Sequence, residues 1–104
     1  MEITGTELKQ KIDNGEKVIV ELYATWCGPC KMLKPLFENV AKENKTEVQM
    51  YTMDVDSNKE IAAALGIRSV PTIKSFNMGE NVDTKIGILG ENQIKQLVDN
   101  LVNG

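Results

Sequence analysis

Cys27 and Cys30 are the only thiols in the chain, and the stretch that holds them, Trp26-Cys27-Gly28-Pro29-Cys30-Lys31, is where its chemistry concentrates. The nucleophile of disulfide exchange is the thiolate, whereas an ordinary cysteine is mostly protonated at neutral pH. A cysteine at a helix N-terminus partly escapes that limit. The unpaired N–H groups of the first turn and the helix dipole favour an anion there by about 0.3–2 kcal/mol. At ~1.4 kcal/mol per pH unit, a thiol so placed has its pKa lowered by up to about one unit. A second thiol three residues on lies on the same side of the helix, close enough to bond the first. It can also donate a hydrogen bond to the thiolate and then attack a mixed disulfide. The pattern predicts a two-electron switch in which Cys27 attacks and Cys30 resolves.

Such a switch needs a strand before it and a helix after it, and the sequence supplies both. Val18-Ile19-Val20-Glu21-Leu22-Tyr23-Ala24 is an apolar, β-branched run that reads as a strand of about 17–24 buried on both faces. From Met32 to Ala41 the apolar residues recur at helical spacing, predicting a helix over about 28–44. Pro29 suits its first turn, where a missing N–H has no intrahelical partner. Pro35 lies inside the helix and predicts a kink rather than a break, because the apolar spacing continues through Leu36, Phe37, Val40 and Ala41.

The remaining elements follow from caps, turns and periodicity. Thr4-Gly5-Thr6-Glu7 has the form of a capping box, opening a helix with Leu8 and Ile12 inward that stops at Asn14-Gly15. Val48–Met53 reads as a second strand, parallel to the first through a right-handed crossover. Ser57-Asn58-Lys59-Glu60 predicts a second capping box and a helix ending at Gly66. A strand over Thr72–Phe76, a turn at Asn77-Met78-Gly79-Glu80 and a returning strand over Val82–Ile86 form a hairpin. A helix over about 91–102 carries Ile94, Leu97, Val98, Leu101 and Val102 on one face. The order αβαβαββα predicts an α/β protein, a mixed central β-sheet flanked by helices on both faces.

Composition narrows the chemistry further. The length of 104 residues fits one domain and is enough to fold without a disulfide or metal. A net charge of −3 with acids and bases interspersed gives no basic stripe, which argues against direct nucleic-acid binding. There is no histidine, so Cys–His nucleophilic pairs, His general bases and Cys₂His₂ zinc sites are excluded. Proton transfer near the cysteines must use a carboxylate, a lysine, a tyrosine or water. Residues 1–7 lack a signal-peptide pattern and no apolar run approaches a membrane span, so a soluble, cytoplasmic protein is expected. In a reducing compartment a close cysteine pair is more often catalytic or metal-binding than structural.

Ala24-Thr25-Trp26-Cys27-Gly28-Pro29-Cys30-Lys31, Pro35, Val70-Pro71-Thr72, Phe76, Gly79 and Gly87 follow the order and spacing of the thioredoxin family, which the chain resembles over essentially its whole length. The resemblance implies one thioredoxin-fold domain over residues 1–104, working as a monomer, that reduces disulfides in client proteins. It implies re-reduction by a thioredoxin reductase, and no cofactor or metal beyond the redox-active Cys27–Cys30 disulfide. Gly28 and Pro29 resemble the pair that tunes redox potential. Pro71 matches the family's cis-proline facing the dithiol. Its residue types alone favour a trans proline opening an edge strand, since cis is only ~5% of X-Pro bonds. By the same resemblance, the backbone of Val70 pairs with a substrate chain as an added strand, and Trp26, Gly87 and Ile88 complete a small apolar docking rim. For Trp26, core packing is the competing reading.

Two positions depart from the common bacterial pattern. Glu21 stands in place of a buried aspartate, and Thr52 in place of a lysine near it. A carboxylate in a strand buried on both faces is costly unless paired or protonated. Near Cys30, Glu21 is the candidate acceptor for the resolving thiol's proton, directly or through water; the alternative is a charge escaping at a strand edge. Glu21-Leu22-Tyr23 also resembles protein disulfide isomerase domains, although those usually carry histidine where this chain has Pro29. Three other functions stay open: an isomerase- or oxidase-like relative, an interaction subunit that stabilises a partner enzyme with dispensable thiols, and a zinc site shared between two chains.

Overall fold

Capping and turn chemistry divide the chain into eight elements, described over residues 1–104 by a computed structural model. In order these are α1 (Gly5–Asp13), β1 (Val18–Tyr23), α2 (Gly28–Glu43), β2 (Gln49–Asp54), α3 (Lys59–Ala64), β3 (Thr72–Asn77), β4 (Glu80–Ile86) and α4 (Glu91–Val102). The strands form one sheet in the order β2-β1-β3-β4. β1 runs parallel to β2 and antiparallel to β3, and β3 runs antiparallel to β4. The mixed sheet and the order of elements are those the sequence predicts.

Strand alternation divides the core in two. Ile19 and Ile73 point to one face, where they pack with Leu33 and Phe37 of α2 and Ile94 and Leu97 of α4. Val18, Val20, Leu22, Met53 and Phe76 point to the other, with Leu8 of α1 and the partly buried Ile61 of α3. Helices therefore cover both faces, and β1 is buried along its length from Val18 to Leu22. Its central position is what carries Glu21 into the interior and sets the cysteines at the end of a fixed strand.

Local signals hold at most boundaries. Thr4 and Glu7 exchange both capping-box bonds, at 2.9 and 3.1 Å. Gly15 and Gly66, which end the first and third helices, both take positive φ, at 74° and 71°. α2 runs through Pro35 without interruption. The capping box expected at Ser57 does not form. Asn58, not Ser57, is the N-cap, and it makes no side-chain cap bond. Its side chain instead accepts from Gly5 N–H at 2.8 Å and donates to Asp54 O at 2.8 Å, tying α1 to the end of β2. Ser57 Oγ donates to Asp54 Oδ2 at 3.3 Å. The hairpin also begins earlier than the sequence indicates: Met78 (φ 55°) and Gly79 (φ 83°) form its turn, and β4 starts at Glu80. A two-residue turn with both φ positive matches the twist of antiparallel strands, and it forces Met78 into a conformation rare outside glycine.

Candidate active site at the head of the second helix

Cys27 closes β1's exit from the sheet and caps α2. Its backbone is extended (φ −87°, ψ 115°), the usual N-cap conformation, and Gly28 and Pro29 fill the first turn. The Cys30 N–H donates to Cys27 Sγ at 3.2 Å. An orphan donor of the first turn is therefore aimed at the sulfur, the arrangement that favours a thiolate there. The two sulfurs are joined in a disulfide across a Cα–Cα distance of 5.3 Å. Both residues are buried, Cys27 at 4% and Cys30 at 3% exposure, so accessibility of the whole residue does not separate their roles. Their surroundings do.

Cys27 Sγ lies 3.7 Å from the carbonyl oxygen of Val70. The Val70–Pro71 peptide is cis, as the resemblance implies. This loop is braced on both sides: Thr72 Oγ1 donates to Ser69 O at 2.7 Å, and Gly87 N–H donates to Pro71 O at 2.9 Å. Gly87 has φ 93°, a conformation that favours glycine. Trp26 is 71% exposed, which rules out the core-packing reading. Its indole N–H donates to Asp56 Oδ2 at 2.8 Å, a bond across 30 residues that no local pattern announces. Trp26 and Val70 line one open groove of about 500 Å³ with Val55, Ala62, Ile67 and Arg68. Gly87 and the exposed Ile88 do not line that groove; Gly87 is hydrogen-bonded to Pro71 instead.

Behind Cys30 the environment is different. A cleft of about 250 Å³ is lined by Glu21, Tyr23, Cys30, Lys31, Lys34 and Thr52, among others. Glu21 is 1% exposed, and neither of its carboxylate oxygens has a hydrogen-bond partner in the protein. Burial pushes its pKa up to about 7; the charge of Glu38 adds to this, Lys34 opposes it, and Glu2 raises it further. An acid so placed keeps its proton to higher pH than an exposed carboxyl does. Glu21 is thus a buried group open to the cleft and not a charge escaping at a strand edge. No group of three or more Cys, Asp or Glu side chains is placed to hold a metal ion.

A strand, a Cys-x-x-Cys disulfide at a helix N-cap and a cis-proline loop against its first sulfur together define a thiol–disulfide oxidoreductase. Comparison with known proteins agrees. The family model described as Thioredoxin matches residues 1–100. The thioredoxin of Rickettsia felis is 41% identical over 93 residues, 88% of this chain and 89% of that one. That of Mycoplasmoides gallisepticum is 42% identical over 92 residues, 88% of this chain and 91% of that one. Among solved structures, a mutant thioredoxin from Halobacterium salinarum superposes with a TM-score of 0.84 at 36% identity, covering 97% of this chain and 88% of the other. Chloroplastic thioredoxin z gives 0.85 at 33% identity, covering 99% and 94%. The chain belongs to the thioredoxin family, and its activity is thiol–disulfide exchange at the Cys27–Cys30 pair.

Proposed function

We propose that the chain reduces disulfides in client proteins, with Cys27 attacking, Cys30 resolving and Glu21 accepting the resolving thiol's proton. The observation that carries this reading is the asymmetry of the pair: Cys27 Sγ receives the Cys30 N–H and faces the Val70 carbonyl, whereas Cys30 backs onto the Glu21 cleft. In the reduced protein the Cys27 thiolate attacks one sulfur of a client disulfide and expels the other as a thiolate. Cys30 gives its proton to Glu21, directly or through water, and its sulfur attacks Cys27 Sγ. The Cys27–Cys30 bond forms, the mixed disulfide breaks, and the client leaves with two more electrons. A thioredoxin reductase returns those electrons, and no cofactor other than the disulfide takes part.

Substrate contacts follow the same asymmetry. The Val70 backbone next to Pro71 pairs with the client chain as an added strand. Trp26, Gly87 and Ile88 form the docking rim, and Gly28 and Pro29 set the reduction potential. The two core clusters draw on helices and strands from Ile3 to Leu101, which supports a single domain, and it acts as a monomer. A cytoplasmic setting, where a dithiol is kept cycling, suits this role. A reductase-coupled insulin-reduction assay tests electron uptake and delivery together. Turnover is expected for the parent and none for Cys27→Ser; turnover by Cys27→Ser would overturn the reading.

A further inference from the structure

Residues 1–3 lie along the outer edge of β2. Ile3 N–H donates to Thr52 O and Thr52 N–H to Met1 O, each at 2.9 Å, which makes Glu2 the parallel bridge partner of Thr52. There the Glu2 carboxylate gathers several donors. Its Oε1 accepts from the Tyr23 hydroxyl at 2.9 Å and from Thr52 Oγ1 at 2.9 Å, and its Oε2 accepts from Asp54 N–H at 3.2 Å. Thr52 is the residue paired with Glu21 across β1 and β2, and Tyr23 lies two positions along β1 from Glu21. All three line the cleft behind Cys30. The hydroxyls that flank Glu21 on the sheet are therefore both turned to Glu2, while both Glu21 oxygens lack a protein partner.

We propose that Glu2 is a positioning residue for the thiol chemistry: by holding the Thr52 and Tyr23 hydroxyls, it leaves both oxygens of Glu21 open to the proton of Cys30. The inference rests on the reading of Glu21 as the proton acceptor. A hydroxyl donated to Glu21 would favour its charged form and occupy a lone pair, making it a weaker base at neutral pH. Glu2 removes both donors, and its own charge adds to that of Glu38 in opposing ionisation of Glu21. The other groups around Glu21 are Lys34 of α2, which favours ionisation, Lys31 at the cleft, and Tyr23 of β1; the β3 neighbour is the apolar Ile73. Thr52 thus takes part in the site through Glu2, not as a direct partner of the buried acid.

A purely anchoring role for Glu2 makes a different prediction. The backbone bonds of residues 1–3 and the buried Ile3 hold this segment without the carboxylate, so Glu2→Ala is expected to fold. The test follows the Glu21 side-chain carboxyl by ¹³C NMR against pH in the full oxidised chain, together with the pH profile of single-turnover resolution. In Glu2→Ala the released hydroxyls turn to Glu21, its midpoint falls by about one pH unit, and the acid limb of the resolution profile moves with it. Adding Thr52→Val to Glu2→Ala recovers part of that shift, because one released donor is gone. A Glu2→Ala midpoint within about 0.2 of the parent, or no recovery in the double variant, overturns the proposal. Should Glu2→Ala not fold, Thr52→Val in the parent decides by the same midpoint: an unmoved value shows that the threonine hydroxyl gives nothing to Glu21 while Glu2 holds it and supports the proposal, and a rise overturns it. Parent-rate resolution in Glu21→Gln would sink the role of Glu21 itself. Slowed resolution there, with an unmoved midpoint in Glu2→Ala, would sink only the part given to Glu2.

Discussion

Replacing Glu21 by glutamine separates what burial of this acid costs the fold from what it gives the reaction. In the folded chain its pKa is raised from 4.5 to about 7, first by burial and then by the charge of Glu38. The folded state therefore binds more protons than the unfolded one between those values, and stability falls as pH rises through that window. It stays low above the folded pKa. At about 1.4 kcal/mol per pH unit, carrying the carboxyl across this window of 4.5 to about 7 costs about 3.5 kcal/mol once it is ionised. The cleft beside Glu21 opens to solvent, whose screening lowers the figure, so about 2–3 kcal/mol is expected. A glutamine has no such titration. Its amide does introduce a pH-independent packing and hydrogen-bonding change, which cancels when the stability difference between variant and parent is compared at two pH values. Urea denaturation of the oxidised proteins at pH 4 and pH 8 should thus show Glu21→Gln gaining about 2–3 kcal/mol on the parent between them. In the same variant, single-turnover release of the mixed disulfide should slow by about 10²-fold, the lower end of general-base contributions. A pH-dependent gain under about 0.5 kcal/mol would refute the burial argument, and resolution at the parent rate would refute the proton-transfer argument.

Three further outcomes follow from the geometry. Alkylation of the reduced protein at neutral pH should label Cys27 before Cys30, and Cys30→Ser should trap client proteins as mixed disulfides on Cys27; first labelling at Cys30 on peptide mapping would reverse the assignment of roles. Asn58→Ala should destabilise the chain by about 1–3 kcal/mol, because it leaves the Gly5 N–H and Asp54 carbonyl without their partner, whereas Ser57→Ala should stay within about 0.5 kcal/mol; equal losses in chemical denaturation would contradict this. Gly87→Ala should cost about 1–2 kcal/mol, since its φ of 93° suits glycine and its N–H holds the Pro71 carbonyl; a neutral result in a thermal melt would show that the loop relaxes freely.

The cysteine site was legible in the sequence because its signals are local. An apolar run, an N-cap position, a proline suited to the first turn and a second cysteine at i+3 all lie within about a dozen consecutive residues, where helix and strand geometry fix relative positions. The same holds for the Thr4–Glu7 capping box, which forms as its spacing predicts. Burial of Glu21 was legible for a related reason: apolar neighbours on both sides in a strand imply a central position, and β1 does lie between β2 and β3. The cis state of Pro71 was legible only through family resemblance, because residue type alone favours trans.

What stayed hidden depends on side chains choosing among partners distant in sequence. Ser57 and Asn58 are both competent N-caps, and nothing local reveals that Gly5 approaches from α1 and draws the Asn58 amide away from its own helix. Gly5 has to be a glycine there, since a Cβ would sit 2.5 Å from the side chain of Ile61. The bond from Trp26 to Asp56 likewise depends on the β2–α3 connection returning to the active-site end of the sheet. Glu2 is the sharpest case. As one acid among 15 near the start of the chain, it reads as a solvated charge. Its importance arises only when β2 pairs with both β1 and residues 1–3, which sets Glu2, Thr52 and Glu21 side by side across the sheet. Thr52 in place of the family's usual lysine looks, in sequence, like the loss of a partner for the buried acid. In the fold, the threonine hydroxyl turns to a second carboxylate, so the buried acid is surrounded by less positive charge and fewer donors. Both differences act in the same direction, toward a Glu21 that keeps its proton to higher pH.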